Sequence, residues 1–281
     1  MATQPVAVVL PLHQETLDRQ GTIALASLRH HLPTTPRYLV APDTLRPTFD
    51  VADFRRIDLD PSWFVSRDSY NRLMLTPDFY RLFADFEHVL IYQLDCVLFR
   101  SDLMSWCERG YSYLGAPWLS RRRISRKLYP KAVGNGGLSL RRVQDCLTVL
   151  AQRDCAVWPR SQAAWRHFLR YKHARRLLRF ASNLRSSTGM EGGVAACFHW
   201  AEDMFWGYYA PQLWAEFRLP KPLEAVDFAI EHGASEMVAF NGGRLPFGAH
   251  AWALHDPEFW QEHFPESVST AVWSTLDAKS D

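Results

Sequence analysis

The run His88-Val89-Leu90-Ile91-Tyr92-Gln93-Leu94 constrains the fold more than any other segment, because it is apolar, of strand length, and ends directly at an acid, Asp95. Apolar character over that length suits a central strand covered on both faces, as in a parallel sheet between helix layers. An ionised carboxylate is costly to bury without a partner. Asp95 is therefore expected at a rim, on a cation or beside an arginine. Two readings stay open: a ligand-binding acid in the crevice outside the strand ends, or a turn residue in a structural ion pair.

The flanking sequence supplies the rest of such a sheet. Val6–Leu12 reads as a buried strand, and Thr16–Leu32 as a helix with Leu17, Ala24, Leu28 and Leu32 on one face. Arg37–Ala41, stopped by Pro42, and Phe54–Asp60 read as further strands. Thr76 as cap, Pro77 at the first helical position and Asp78 at the positive end of the dipole open another helix. Its Phe79, Leu82, Phe83 and Phe86 form a core stripe. Downstream, Ser101–Arg109 reads as a helix closed by Gly110, Tyr111–Gly115 as a strand and Arg121–Lys131 as a basic loop. The turn Gly134–Gly137 opens into Leu138–Leu140 and a helix, Ser161–Phe180 reads as a basic helical insertion, and Glu202–Ala210, Pro222–Glu231 and Pro257–Phe264 read as helices. Alternating strands and helices predict an α/β fold with right-handed crossovers, and 281 residues suffice for one domain with a sizeable core.

Composition excludes several classes. Cys96, Cys107, Cys146, Cys155 and Cys197 form no C-x-x-C pair, so neither a zinc knuckle nor a secreted disulfide framework is expected, and a reducing cytoplasm fits. Val6–Leu12 lacks a basic leader and is too short for a signal peptide or a membrane span. The formal net charge is only +2, yet between Gly110 and Met190 the only acids are Asp145 and Asp154, against Arg121-Arg122-Arg123, Arg126-Lys127 and Arg175-Arg176. That asymmetry reads either as a solvated face or as a surface for an anionic ligand such as a phosphate, a lipid head group or nucleic acid.

Several groups can carry chemistry. Gly134-Asn135-Gly136-Gly137 can aim backbone N–H groups at an anion or serve as a tight turn, and it matches neither a P-loop nor a dinucleotide fingerprint. Glu202-Asp203, between Trp200 and Phe205-Trp206, is a carboxylate pair beside aromatics, where a raised pKa allows general-base work. Adjacent helical residues point apart, so at most one reaches a substrate; the plainer reading is a helix start. His250, in a turn-rich segment, is a rim imidazole able to ligate a metal or an ordinary satisfied histidine. No nucleophile elbow, H-E-x-x-H or kinase motif set occurs.

Five blocks in order, YNRLMLTPDFYRLFADFEHVLIYQLDCVLFR (70–100), GYSYLGAPW (110–118), VGNGGLSLRR (133–142), EDMFW (202–206) and NGGRLPFGAHAW (241–252), resemble a bacterial family of unknown-function domains regarded as GT-A-type glycosyltransferases of polysaccharide biosynthesis. The resemblance implies a single GT-A-like domain with a mostly parallel central sheet flanked by helices plus a basic helical insertion at 155–193. Residues up to about 110 would form the nucleotide-sugar-binding half and those from about 111 to 265 the acceptor side. It implies a nucleotide-sugar donor held by His13, Arg72, Gln93, Asp95, Asn135, Gly136 and Gly137, and an acceptor against Trp118, Trp206 and Trp252. The metal-binding D-x-D of such enzymes is here Gln93-Leu94-Asp95-Cys96-Val97, with one acid, so Mn²⁺ or Mg²⁺ would rest on Asp95 and His250 or be replaced by basic residues. Asp203, then Glu202, would act as the base of an inverting transfer.

The implied acceptor is a glycan or a lipid-linked glycan. The Arg-rich insertion would then attract a cytoplasmic protein peripherally to the inner membrane surface. Two rivals remain: a basic nucleic-acid-binding protein, disfavoured by the near-neutral total charge, and a catalytically inactive transferase-like binding module.

Overall fold

The computed structural model describes residues 3–119, 128–151, 198, 201–266 and 268. In chain order these form β1 (Gln4–Pro11), α1 (Arg19–His31), β2 (Arg37–Pro42), β3 (Arg55–Leu59), α2 (Arg67–Leu73), α3 (Pro77–Arg81), β4 (Phe86–Tyr92), β5 (Cys96–Leu98), α4 (Leu103–Glu108), β6 (Tyr113–Leu114), β7 (Pro117–Leu119), β8 (Leu128–Val133), β9 (Leu138–Arg142) and α5 (Val143–Leu150). Then follow α6 (Glu202–Met204), a π-helical turn (Phe205–Tyr209), α7 (Ala210–Leu213), α8 (Pro222–Phe228), β10 (Ala229–Ile230), α9 (Ala234–Phe240), β11 (Gly248–His250) and α10 (Pro257–Gln261).

Among the described residues the main sheet has the order β3-β2-β1-β4-β9-β6. The pairings from β3 through β4 are parallel, while β9 runs antiparallel to both β4 and β6. This is the expected mixed α/β architecture with a mostly parallel central sheet flanked by helices. The run around residue 90 is its central strand, and its alternating side chains serve two cores, as the two-residue period of a strand requires. Val89 and Ile91 join Ala7, Val9, Phe79, Phe83 and Cys146 on one face. Leu90 and Tyr92 join Val8, Leu10, Leu28 and Trp106 on the other.

A smaller sheet, β10-β11-β5, packs beside the main one, with β10 parallel and β5 antiparallel to β11. It buries a third cluster that includes Val97, Ile230, Ala249, Trp252 and Trp260.

Several local expectations need correction. The first helix starts at Arg19 rather than Thr16, because Asp18 caps it by accepting from Gly21 N at 2.8 Å. The helix capped by Thr76 ends at Arg81, so Leu82 lies 44% exposed, and Phe86 reaches the core as the first residue of β4. β4 ends at Tyr92, because Cys96 N donates to Gln93 O at 3.0 Å and turns the chain at Leu94-Asp95. Leu128–Lys131 belong to β8 rather than to a loop. The segment expected to be helical from Pro222 to Glu231 stops at Phe228 and continues as β10. α2, α9 and the β7–β8 hairpin had no sequence counterpart. The insertion at 155–193, the arginines at 121–123, Cys155 and Cys197 lie outside the described residues; Cys96, Cys107 and Cys146 are free and buried. No helix among the described residues is long and apolar enough to cross a membrane.

Leu90, fully buried at the centre of the main sheet, tests this core. Leu90→Ala is expected to lower unfolding free energy by about 2–5 kcal/mol, seen as a lower urea midpoint with an unchanged slope.

Candidate functional site

From β1 the chain moves outward through β2 and β3, then returns to place β4 on the other side of β1. That reversal opens a crevice at the carboxyl ends of β1 and β4, where open α/β sheets hold ligands. His13 stands exposed just beyond β1, and Gln93-Leu94-Asp95 follow β4.

The small sheet brings His250 to this crevice. In the antiparallel pairing of β5 with β11, Cys96 lies opposite His250, so His250 Nε2 stands 3.3 Å from Asp95 Oδ2. Glu231, next after β10, faces the other ring nitrogen, with Oε1 3.5 Å from Nδ1. Burial alone would discharge the imidazole, but the two carboxylates overcome it and push His250 up to about 9. Burial likewise raises Asp95 and Glu231, and the facing imidazolium outweighs it, leaving both below the usual carboxylate range.

This pair suits a divalent cation. Asp95 Oδ1 is buried without a hydrogen-bond partner among the described residues, and Asp95 and His250 offer ligand atoms within 4.8 Å of one another. Glu231 against Nδ1 would fix the ring as carboxylates fix ligating histidines. Cys96, though close, donates its thiol to Gly137 O at 3.2 Å, and burial holds it protonated. The glycine at 137 is required by proximity, since a Cβ there would lie 2.2 Å from His250 Nε2.

The turn at 134–137 forms the next wall. Asn135 adopts a left-handed backbone (φ 72°), and its Oδ1 accepts from Gly137 N at 3.1 Å. Asn135 N donates to Asp203 Oδ2 at 3.0 Å. At Gly136 a Cβ would lie 1.9 Å from Glu202 Oε1. Glu202 is buried and accepts from Arg141 Nη2 at 2.8 Å. The fully buried guanidinium also donates to Tyr80 Oη and Ser139 Oγ, both at 3.0 Å. Burial raises both Glu202 and Asp203 above the ordinary carboxylate range. Glu202 is thus committed to an internal ion pair, while Asp203 stays partly accessible at the helix start. The π-helical turn directly behind it has the irregular geometry often found at functional sites.

The crevice therefore gathers Gln93, Asp95, Asn135, Gly136, Gly137, Asp203 and His250. Gln93 N donates to Gly137 O at 2.9 Å, and its side-chain amide donates to Tyr70 Oη at 3.2 Å. Arg72 is exposed on α2, whose first residue, Arg67, acts electrostatically on Asp95. Trp118 is partly exposed and packs over Gly134. Trp206 and Trp252 are 0% and 2% exposed and sit in core clusters, so as they stand neither offers a face to an acceptor. Sequence reasoning missed Glu231, Arg141, Tyr70 and Arg67. Glu231 was hidden by its assignment to a helix, and Arg141 by its membership of a basic stretch.

These residues cluster at the switch point of an open α/β sheet, the place where such sheets hold ligands. The chain belongs to the family described as protein of unknown function DUF5672, whose model matches residues 53–250. No curated protein matches it in sequence. Similar solved structures include the apo form of the glycosyltransferase GlyE of Streptococcus pneumoniae TIGR4, at 14% identity and TM-score 0.44, covering 99% of this chain and 64% of that one. They also include the galactosyltransferase LgtC in complex with donor and acceptor sugar analogues, at 13% identity and TM-score 0.44, covering 94% and 99%. A third is the bifunctional glycosyltransferase WbbM, at 10% identity and TM-score 0.43, covering 89% and 45%. The chain thus spans just under two thirds of the length of GlyE.

Two outcomes test the site's electrostatics. Arg141→Met leaves Glu202 buried without its cation and is expected to cost roughly 3–5 kcal/mol in chemical denaturation, largely recovered by adding Glu202→Leu. His250 titrates near 6.5 when unfolded and about 9 when folded. In metal-free protein its stabilisation is therefore full below pH 6.5 and is lost as pH rises through 9. Unfolding free energy measured across that window should fall in the wild type relative to His250→Gln.

Proposed function

We propose that this protein is a glycosyltransferase that moves a sugar from a nucleotide-sugar donor to a glycan or lipid-linked acceptor in polysaccharide biosynthesis, with inversion. The observation that carries this reading is the convergence, at one switch-point crevice, of the Asp95–His250 pair, the glycine turn at 134–137 and a partly accessible carboxyl, Asp203, of raised pKa. In this reading Asp95 and His250 would hold a divalent cation, Mn²⁺ or Mg²⁺, on the donor side of the crevice. Such a cation supplies positive charge against the leaving group. The turn at 134–137 forms the wall beside the donor, its glycines letting Glu202 and His250 pack directly against the main chain. His13, Arg72, Arg67 and Gln93 line the donor side, and Trp118 the acceptor side.

Asp203 is the base. The acceptor hydroxyl oxygen forms a bond to the anomeric carbon as the bond from that carbon to the diphosphate oxygen breaks. The hydroxyl proton passes to Asp203, and the nucleoside diphosphate leaves with the electron pair. A carboxylate has about four lone-pair sites, so the N–H bonds from Asn135 and Met204 leave room for that proton. Glu202 supports the site through Arg141 rather than by proton transfer. The arginine-rich segment at 155–193 is assigned the anionic acceptor and peripheral attraction to anionic lipid.

A second reading, an inactive nucleotide-binding module, is favoured by the single acid in the segment 93–97. One experiment separates the two. Nucleoside diphosphates are screened by thermal shift with and without Mn²⁺, and the matching nucleotide sugars are assayed for hydrolysis and transfer. The transferase reading expects a metal-dependent rise in melting temperature for one nucleotide and slow donor hydrolysis, reduced about 10²–10⁴-fold by Asp203→Asn with folding intact. A shift without turnover supports the inactive module; no shift with any nucleotide rejects both.

A further inference from the structure

Glu231 belongs to a second constellation behind the first. Its Oε1 faces His250, and its Oε2 lies 3.6 Å from His232 Nε2. The ring of His255 lies against that of His232 in a tilted contact, with centroids 3.8 Å apart and an interplanar angle of 59°. One ligand atom from each of Glu231, His232 and His255 lies within 4.8 Å of the others. Neither the His232 nor the His255 ring makes a hydrogen bond among the described residues, so their nitrogens are not committed elsewhere.

The backbone brings these groups together from two separate turns. Glu231 and His232 follow β10, and Gly233 turns the chain with φ 67°. His255 sits in the turn after β11, bounded by Ala251 and Asp256 at φ 49° and 56°. Asp256 Oδ2 accepts from Ala234 N at 2.9 Å and ties one turn to the other. The parallel pairing of β10 with β11 fixes their register.

We propose that Glu231, His232 and His255 bind a divalent transition-metal cation of the zinc class at a site separate from the Asp95–His250 pair, with which it shares the Glu231 carboxylate. Two imidazoles and one carboxylate suit zinc, cobalt or nickel rather than magnesium. Tetrahedral ligand bonds of about 2.0–2.2 Å place ligand atoms about 3.4 Å apart, close to the 3.6 Å between Glu231 Oε2 and His232 Nε2, and three protein ligands leave such a cation one position for water. Through Glu231, a cation here would act on the ring of His250. The proposal does not depend on the transferase reading.

The test uses the full chain stripped of metal and titrated with Co²⁺, followed by visible absorption, and with Zn²⁺ by calorimetry. The wild type should bind an equivalent with the absorption of low-coordinate cobalt. His232→Ala/His255→Ala should lose that equivalent, and Asp95→Asn should retain it. His232 is about half exposed, so the single change His232→Ala, expected to weaken binding at least tenfold, serves if the double variant misfolds. The proposal is overturned if the wild type binds neither ion, if the histidine variants bind like the wild type, or if only Asp95→Asn abolishes binding.

Discussion

The buried guanidinium of Arg141 holds the candidate site in its present shape. It leaves β9 fully enclosed and donates to Glu202 at the start of α6, to Tyr80 on α3 and to Ser139 on its own strand. A buried charge is tolerated only when its partners are in place. The same ion pair therefore sets the height of α6 over the sheet and presses Glu202 against the backbone of Gly136. Asp203, next in the chain, is delivered to the amide of Asn135 as a consequence. The wall of the crevice is thus built around a charge that never meets the ligand.

The other wall depends on strand register. β5 leaves the main sheet immediately after the turn at 93–95 and pairs with β11, so His250 arrives beside Asp95 by backbone pairing rather than by proximity in sequence. β10 then aligns Glu231 on the far side of the same ring. A slip of one residue between β5 and β11 would turn His250 away from Asp95, and one between β10 and β11 would turn Glu231 away from the ring. The imidazole's position is therefore as secure as the small sheet, whose core holds Val97, Trp252 and Trp260.

This division explains what was legible in the sequence. The central strand, the first crossover, the glycine turn and Asp95 are local features: an apolar run, a helix with one apolar face, a cluster of glycines and an acid at the end of an apolar run. Each was readable within a few residues. Glu231, Arg141 and the fate of the tryptophans were not, because their roles arise from contacts across the chain. Arg141 looks like one more cation in a basic stretch until its side chain proves fully enclosed. Trp206, beside a carboxylate pair, resembles a stacking platform, yet it packs with its plane against Phe217 and edge-on to Tyr80. Proline at 222 announced α8 correctly, but nothing local marks its change to β10 at Ala229, and with that change Glu231 moves from a helix to the site.

The same geometry bears on the single acid of the segment 93–97. Val97, one of the two positions, with Gln93, where a second acid of a D-x-D pattern around Asp95 could stand, is fully buried in the core of the small sheet opposite Ala249. A carboxylate there would be desolvated without a partner, a cost the fold avoids by keeping valine. Negative charge instead enters from β10, where Glu231 faces the imidazole that faces Asp95. The intervening His250 lets both carboxylates stay ionised at close quarters. The carboxylate absent from the linear motif is therefore supplied in space, one residue beyond a short strand that pairs with the strand bearing the histidine.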